Sequence, residues 1–145
     1  IIFSQFTSFL DLVQDALNDY GRNFVRYDGS MRRNAREEAL QKIRSDEGIK
    51  IILISFKAGS TGLNLTCCNR VILCDLWWNP QIEEQAFDRA HRYVVFYSRR
   101  LGQSKNVYIY KLSIDGTVEQ RILALQVRAY LCNNRIKNVN WLRPP

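Results

Sequence analysis

The chain has 145 residues, 46% hydrophobic and 24% charged, a composition that suits one folded domain and excludes a disordered chain. Its net charge of +7 and pI near 9.5 favour a polyanionic partner such as nucleic acid or nucleotide, with an ordinary basic surface as the alternative. No apolar stretch approaches the roughly 20 residues that a membrane-spanning helix needs, so we expect no membrane partner.

The first half of the chain alternates apolar stretches with amphipathic ones. Its predicted elements are a strand at Ile1–Phe3, a helix from Phe6 to Leu17, a strand at Phe24–Tyr27 and a helix from Ser30 to Ile43. Gly21 marks the end of the first helix, and Ser30 is predicted to cap the second. Because the chain opens directly on a stretch typical of a buried strand, we expect it to be a piece of a longer protein.

The second half continues the alternation. Its predicted elements are a strand at Ile49–Ile54, a loop at Ala58–Gly62, a strand at Val71–Cys74, a helix from Pro80 to Ala90, a strand at Val107–Leu112 and a helix at Thr117–Val127 with Val118, Ile122 and Leu125 on one face. Strand and helix alternate about five times without a repeat, which predicts an α/β domain with a mostly parallel sheet. In such sheets ligands bind at the carboxyl ends of the strands. The candidate ligand loops are therefore Ser4-Gln5, Asp28-Gly29, Ser55–Asn64 and Asp75–Pro80.

The cysteine pattern argues against a metal site. The chain has four cysteines, no CxxC pair and one histidine, so zinc ligation is not expected. Three of them, Cys67, Cys68 and Cys74, lie among apolar residues and are predicted to be buried thiols in a reducing compartment.

Two segments have the chemistry of anion binding. Ser55–Leu65 leaves a strand with two glycines, hydroxyl groups and a lysine, which suits a phosphate contact or simply a flexible turn, and it is not a Walker A loop. Gln85, Arg89 and Arg92 are spaced four and three residues apart, so a helix places them on one face. That face would meet an anion, or it would be an ordinary solvated surface.

Five short motifs carry a family resemblance. In chain order they are Ile1–Phe6, Tyr27–Met31, Lys57–Leu65, Trp77–Pro80 and Gln85–Arg92. Together they closely resemble the second RecA-like lobe of Swi/Snf-type helicase-related ATPases of superfamily two, and residues 117–126 resemble the helix that ends that lobe. The third motif is similar to the fungal DNA-repair and ubiquitin-ligase-associated branch. The resemblance implies a three-layer RecA-like α/β fold over residues 1–126.

The resemblance also implies a mechanism. ATP would bind between two lobes, the first of which supplies the phosphate loop and holds Mg²⁺. The second lobe supplies arginine fingers, which the resemblance places at Arg89 and Arg92, with Gln85 beside them. Gly62 and Asn64 would link the nucleotide to the DNA path.

A further set of residues is implied to contact the DNA backbone without reading sequence. These residues are Ser4, Gln5, Asp28, Gly29, Ser30, Lys57, Ala58, Gly59, Ser60, Thr61, Trp77 and Trp78. For the two tryptophans, packing within the lobe is the alternative. The implied partners are double-stranded, chromatin-associated DNA and the N-terminal RecA-like lobe, and the implied location is the nucleus.

The chain departs from the family pattern at two places. Eight residues, Tyr93–Arg100, separate Arg92 from the Leu101-Gly102-Gln103 that normally follows it, and residues 127–145 show no helical period. We interpret 93–100 as an insert and 127–145 as a tail of non-family sequence, arising from an unspliced intron or from real divergence.

These 145 residues contain neither a Walker A loop nor an acidic metal-binding motif, so they do not form a complete ATPase. Three hypotheses follow: the second lobe of a DNA-translocating ATPase, a free-standing nucleic-acid-binding module, or an inactive fragment.

Overall fold

A computed structural model of the chain describes residues 1–59, 63, 65, 67–83 and 106–132. Its elements are β1 (Ile2–Ser4), α1 (Thr7–Asp19), β2 (Phe24–Tyr27), α2 (Arg33–Ser45), β3 (Ile51–Ser55), α3 (Phe56–Gly59), β4 (Arg70–Leu73), β5 (Tyr108–Lys111) and α4 (Val118–Cys132). Residues 80–83 are also helical, as predicted for the start of the helix at Pro80. None of the helices in these ranges is long and apolar enough to cross a membrane.

The five strands form one sheet in the order β2-β3-β1-β4-β5. Every neighbouring pair is parallel. The carboxyl ends of all five strands therefore lie along one side of the sheet, called the carboxyl edge below, and their first residues lie along the opposite amino edge. The predicted α/β class with a parallel sheet is confirmed.

The core consists of the apolar stretches that predicted the strands. Its fully buried side chains include Phe3, Ile52, Leu53, Ile54, Val71 and Leu73. Continuous burial of this kind arises when helices cover both faces of a parallel sheet. Ala39 and Ile43 of α2 join the main cluster, whereas Leu10 of α1 is buried outside it.

Ser30 does not cap α2, contrary to the prediction. The N-cap residue of α2 is Arg32, which makes no side-chain capping hydrogen bond. The backbone N–H and the hydroxyl of Ser30 both donate to Oδ1 of Asp28, at 2.9 and 2.5 Å. The Asp28 side chain thus holds Ser30 in a local turn, so Ser30 does not cap α2.

The prediction of a loop at Ala58–Gly62 is wrong for its first two residues, because Phe56–Gly59 forms the helical turn α3. The physical reason is a local cap: the Ser55 hydroxyl oxygen accepts from the Ala58 N–H at 3.4 Å. Residues 60–62 and 64 lie outside the described residues.

Two further predictions need correction. The Cys67 side chain is exposed, and those of Cys68 and Cys74 are only half-buried, so these are not core thiols. Helix α4 continues to Cys132, beyond the start of the predicted tail, because no glycine or proline interrupts residues 118–132. The boundary between lobe and tail stays a prediction.

Candidate functional site

Four loops lie side by side along the carboxyl edge. The strand order places the turn after β2 next to α3, then the residues after β1, then those after β4. Gly29, Ser30, Lys57 and Trp78 are exposed in these loops, and Gln5 is half-buried. Four segments that are far apart in the chain therefore form one surface, called the loop row below.

Asp75 joins the loops after β1 and β4. The Ser4 hydroxyl donates a short hydrogen bond to Oδ2 of Asp75, and the Gln5 N–H lies 3.1 Å from each carboxylate oxygen. Burial raises the pKa of Asp75 above its ordinary value, although the bonds from Ser4 and Gln5 oppose that shift. The buried carboxyl thus fixes where the Gln5 backbone lies.

Asp28 holds the turn after β2. It is 2% exposed, and besides Ser30 it accepts a 2.6 Å bond from Nε of Arg26. Burial alone would raise the pKa of Asp28, but hydrogen bonds from Ser30 and Arg26 outweigh burial and lower it. The guanidinium of Arg26 also pairs with Asp11 on α1. Asp28 therefore has an ionic partner inside the fold, which it shares with Asp11.

The two tryptophans differ in exposure. Trp78 is 70% exposed, whereas Trp77 is half-buried, and Nε1 of Trp77 is buried without a hydrogen-bond partner among the described residues. Their ring centroids lie 6.4 Å apart. The peptide groups of Trp77 are held on both sides: its N–H donates to Oε1 of Glu83 at 3.0 Å, and its carbonyl accepts from Nε2 of Gln126 at 2.7 Å. Trp78 is thus presented to solvent from a fixed backbone.

A buried polar cluster below the tryptophans was not predicted from the sequence. It consists of Glu83, Lys111 and Gln126, with Lys111 Nζ donating to Glu83 Oε2 at 2.5 Å and to Gln126 Oε1 at 3.2 Å. Gln126 Nε2 donates to Glu83 Oε1 at 2.7 Å. The cluster links residue 83, β5 and α4, three segments that only the tertiary fold brings together.

The predicted apolar face of helix α4 is mostly exposed, with only its member Ile122 half-buried. Val118 and Leu125 are 66% and 61% exposed, whereas Gln126 is 1% exposed. A glutamine among the apolar residues of this helix, together with a lysine at the end of a strand, was the only sequence signal for the cluster. Neither residue type by itself distinguishes a buried partner from a solvated one.

The predicted DNA-contacting residues fall into three groups. Ser4, Asp28 and Ala58 are buried at 0%, 2% and 3% exposure. Their neighbours Gln5, Gly29, Ser30, Lys57, Trp77 and Trp78 are partly or fully exposed, and the backbone of Gly59 ends α3. Ser60, Thr61, Gly62, Asn64, Gln85, Arg89 and Arg92 lie outside the described residues. Contact with DNA or ATP stays a prediction for all of them.

The described part of the chain contains no group of three or more histidine, cysteine or acidic side chains placed to hold a metal ion.

Comparison with known proteins agrees with the fold. Residues 1–94 match the family described as Helicase conserved C-terminal domain. The DNA repair protein rad8 of Schizosaccharomyces pombe is 43% identical over 128 residues, which are 88% of this chain and 11% of rad8. The helicase-like transcription factor CHR28 of Arabidopsis thaliana is 46% identical over 126 residues, which are 87% of this chain and 12% of CHR28.

A solved structure of an ATPase domain is also similar to this chain. The crystal structure of the C-terminal part of the Fun30 ATPase domain superposes with a TM-score of 0.76 and 40% identity, covering 86% of this chain and 38% of the Fun30 chain. The chain spans about a tenth of the length of the curated relatives it matches. It belongs to the helicase conserved C-terminal domain family, as a RecA-like C-terminal lobe of the Swi/Snf type.

Proposed function

We propose that this chain is the second motor lobe of an ATP-dependent DNA translocase. In this proposal it supplies Arg89 and Arg92 to ATP bound against a first lobe, and it holds the DNA backbone along the loop row. ATP would be hydrolysed only by the two lobes together, with Mg²⁺ held by the first lobe.

The loop row is the observation that carries the proposal. Its exposed groups are hydroxyl, lysine and indole side chains and the backbone of a glycine turn, which are the donors and stacking surfaces that bind phosphate and sugar without reading bases. Of the two buried carboxylates near the row, Asp28 forms an ion pair with Arg26, and Asp75 accepts hydrogen bonds from Ser4 and Gln5. A net charge of +7 adds long-range attraction for DNA.

The arginine fingers follow from the motif that begins after Pro80. A guanidinium beside the γ-phosphate stabilises the charge that develops during phosphoryl transfer. The described first turn of this segment, residues 80–83, ends at Glu83, whose carboxylate is anchored in the buried cluster. That anchor supports a rigid start for the helix that would carry Gln85, Arg89 and Arg92.

The relatives support the choice of partner. DNA repair proteins and helicase-like transcription factors are among the proteins that match. We therefore propose chromosomal DNA as the track, the nucleus as the location, and DNA repair or chromatin remodelling as the setting.

The arginine assignment is tested in the protein that carries both lobes. We expect Arg89→Ala and Arg92→Ala each to lower DNA-stimulated ATP turnover by roughly 10³-fold or more, which is the scale of an arginine finger. DNA affinity should stay close to that of the parent protein. Near-normal turnover in both variants would show that the fingers are misassigned.

The loop row is tested with two lysines that lie at opposite ends of the same strand. Lys57 follows β3 at the carboxyl edge and Lys50 precedes it at the amino edge, and both are exposed. The plot of log affinity against log salt concentration has a negative slope, and losing one phosphate contact on duplex DNA makes that slope less steep by ~0.9. We expect that change for Lys57→Gln and none for Lys50→Gln. Equal slopes for the two variants would place the DNA elsewhere.

An aromatic pair supplies a second test. Trp78→Ala should weaken binding of single-stranded DNA by ~1–3 kcal/mol if a base stacks on the indole. Tyr20, which is 80% exposed where α1 ends, is the control, and Tyr20→Ala should leave binding unchanged. If Trp78→Ala binds like Tyr20→Ala, the tryptophan has no part in DNA contact.

A further inference from the structure

The buried cluster below the tryptophans touches both parts of the proposed motor site. Glu83 is the last described residue of the helical turn 80–83, which starts the helix predicted over Pro80–Ala90, called the finger helix below. The Glu83 carboxylate also accepts a hydrogen bond from the N–H of Trp77. Trp77 directly precedes Trp78, whose exposed indole is proposed to contact DNA. One side chain therefore connects the backbone behind the exposed tryptophan to the start of the finger helix.

This connection leaves little freedom on either side. Both oxygens of the Glu83 carboxylate are engaged, Oε1 by the Trp77 N–H and by Gln126 Nε2, and Oε2 by Lys111 Nζ. Gln126 Nε2 also donates to the Trp77 carbonyl at 2.7 Å, and the glutamine is 1% exposed. Hydrogen bonds in a buried site are electrostatically stronger than in water. A displacement of the Trp77 peptide groups is therefore passed to Glu83.

Stability alone does not account for this arrangement. A buried ion pair often stabilises a fold no better than apolar side chains of similar volume, because both charges lose their water. In this cluster, Glu83 and Gln126 are directed at the peptide groups on both sides of Trp77. The cluster thus fixes the backbone that presents an exposed aromatic ring, and apolar side chains could not form those bonds.

We propose that Glu83 and Gln126 are positioning residues that make ATP turnover depend on DNA. DNA bound against Trp78 holds the Trp77 peptide groups in one position, and the bonds through Glu83 then set the direction in which the finger helix begins. Small shifts matter here, because a 1 Å misplacement of reacting groups can cost about 10²-fold in rate. This inference rests on the proposed function, since it needs both the DNA contact and the arginine fingers.

The variant Gln126→Met in the protein with both lobes tests the connection. Methionine has a similar length but donates no hydrogen bond to Trp77 or Glu83, and the Lys111–Glu83 ion pair is retained. The measured quantity is the ratio of ATP turnover at saturating DNA to turnover without DNA. We expect this ratio to fall at least about fivefold, the lower end of coupling between sites, with the KM for ATP unchanged. Partial unfolding would lower both rates by one factor and leave the ratio unchanged.

A matched control and a double variant complete the experiment. Gln120 lies on the same helix, is exposed, and donates to the Asp115 carboxylate at 2.8 Å, so Gln120→Met should keep the ratio of the parent protein. Trp78→Ala should also lower the ratio. The double variant Trp78→Ala/Gln126→Met should lower it no further than the larger single loss, because both changes break the same connection.

The possible outcomes separate this inference from the proposed function. If DNA does not stimulate ATP turnover by the parent protein, both are overturned. If DNA stimulates the parent protein and Gln126→Met keeps its ratio, the inference alone is overturned. The same holds if Gln120→Met loses as much as Gln126→Met, or if the two single losses multiply in the double variant.

Discussion

Replacing Lys111 by methionine removes the positive member of the buried cluster. The Lys111 and Glu83 side chains are 7% and 0% exposed, so the pair is shielded from water on all sides. Methionine has a similar length and no charge, so it fills the space of the lysine stem while leaving the Glu83 carboxylate without its counter-charge. The substitution therefore isolates the ion pair from the packing around it.

The expected loss of stability is about 3–5 kcal/mol, the cost of removing one partner from a buried ion pair. Gln126 and the Trp77 N–H still donate to Glu83, but neither supplies a charge. With a urea m-value of about 2 kcal/mol/M, the unfolding midpoint should fall by roughly 2 M. The double variant Glu83→Gln/Lys111→Met should be more stable than Lys111→Met, because the uncompensated charge has gone.

Urea unfolding followed by far-ultraviolet circular dichroism measures these midpoints. Lys42→Met is the control, since it breaks a lysine–glutamate pair that is exposed on α2, with Lys42 Nζ 2.8 Å from Glu38 Oε1, and we expect no measurable shift. The reasoning is refuted if Lys111→Met is as stable as the control. It is also refuted if the double variant is as unstable as the sum of its single changes.

Three other perturbations have defined outcomes. Asp28→Asn should destabilise the fold at neutral pH, because hydrogen bonds from Ser30 and Arg26 outweigh burial and hold the folded pKa of Asp28 below its ordinary 3.8. The difference in the free energy of unfolding between Asp28→Asn and the parent should be at its full size above pH 3.8 and should vanish as the pH falls through the folded pKa. Urea unfolding measures this difference, and a difference that persists at the acid end of the pH range would contradict the reasoning. The 145-residue chain should hydrolyse ATP no faster than background in a phosphate-release assay, and DNA-stimulated turnover by this chain alone would be incompatible with a shared site. Deleting residues 93–100 in the two-lobe protein should raise ATP turnover, because it restores the family spacing after Arg92 at little cost in loop closure, and unchanged or lower turnover would mean that the insert works in the motor.

The sequence by itself determined the strands and the class of fold. Apolar stretches such as Ile51–Ser55 are long enough to be buried on both faces, and their alternation with amphipathic segments leaves few topologies besides a parallel sheet. The order of the short motifs was enough to recognise the family, because those residues are local in the chain. Where local signals competed, the prediction was wrong: Ser30 has the chemistry of a helix cap, yet the neighbouring Asp28 takes its donors.

Only the tertiary structure decided which polar side chains of the motifs are exposed and which are buried within the fold. Ser4 and Asp28 belong to recognised motifs, but the first is buried against Asp75 and the second against Arg26. Glu83, Lys111 and Gln126 are separated by 28 and 15 residues along the chain. They meet because the fold brings Lys111 of β5 and Gln126 of α4 next to Glu83. Burial and pairing depend on contacts between segments that are distant in sequence, and the helical or strand period of a single segment carries no information about them.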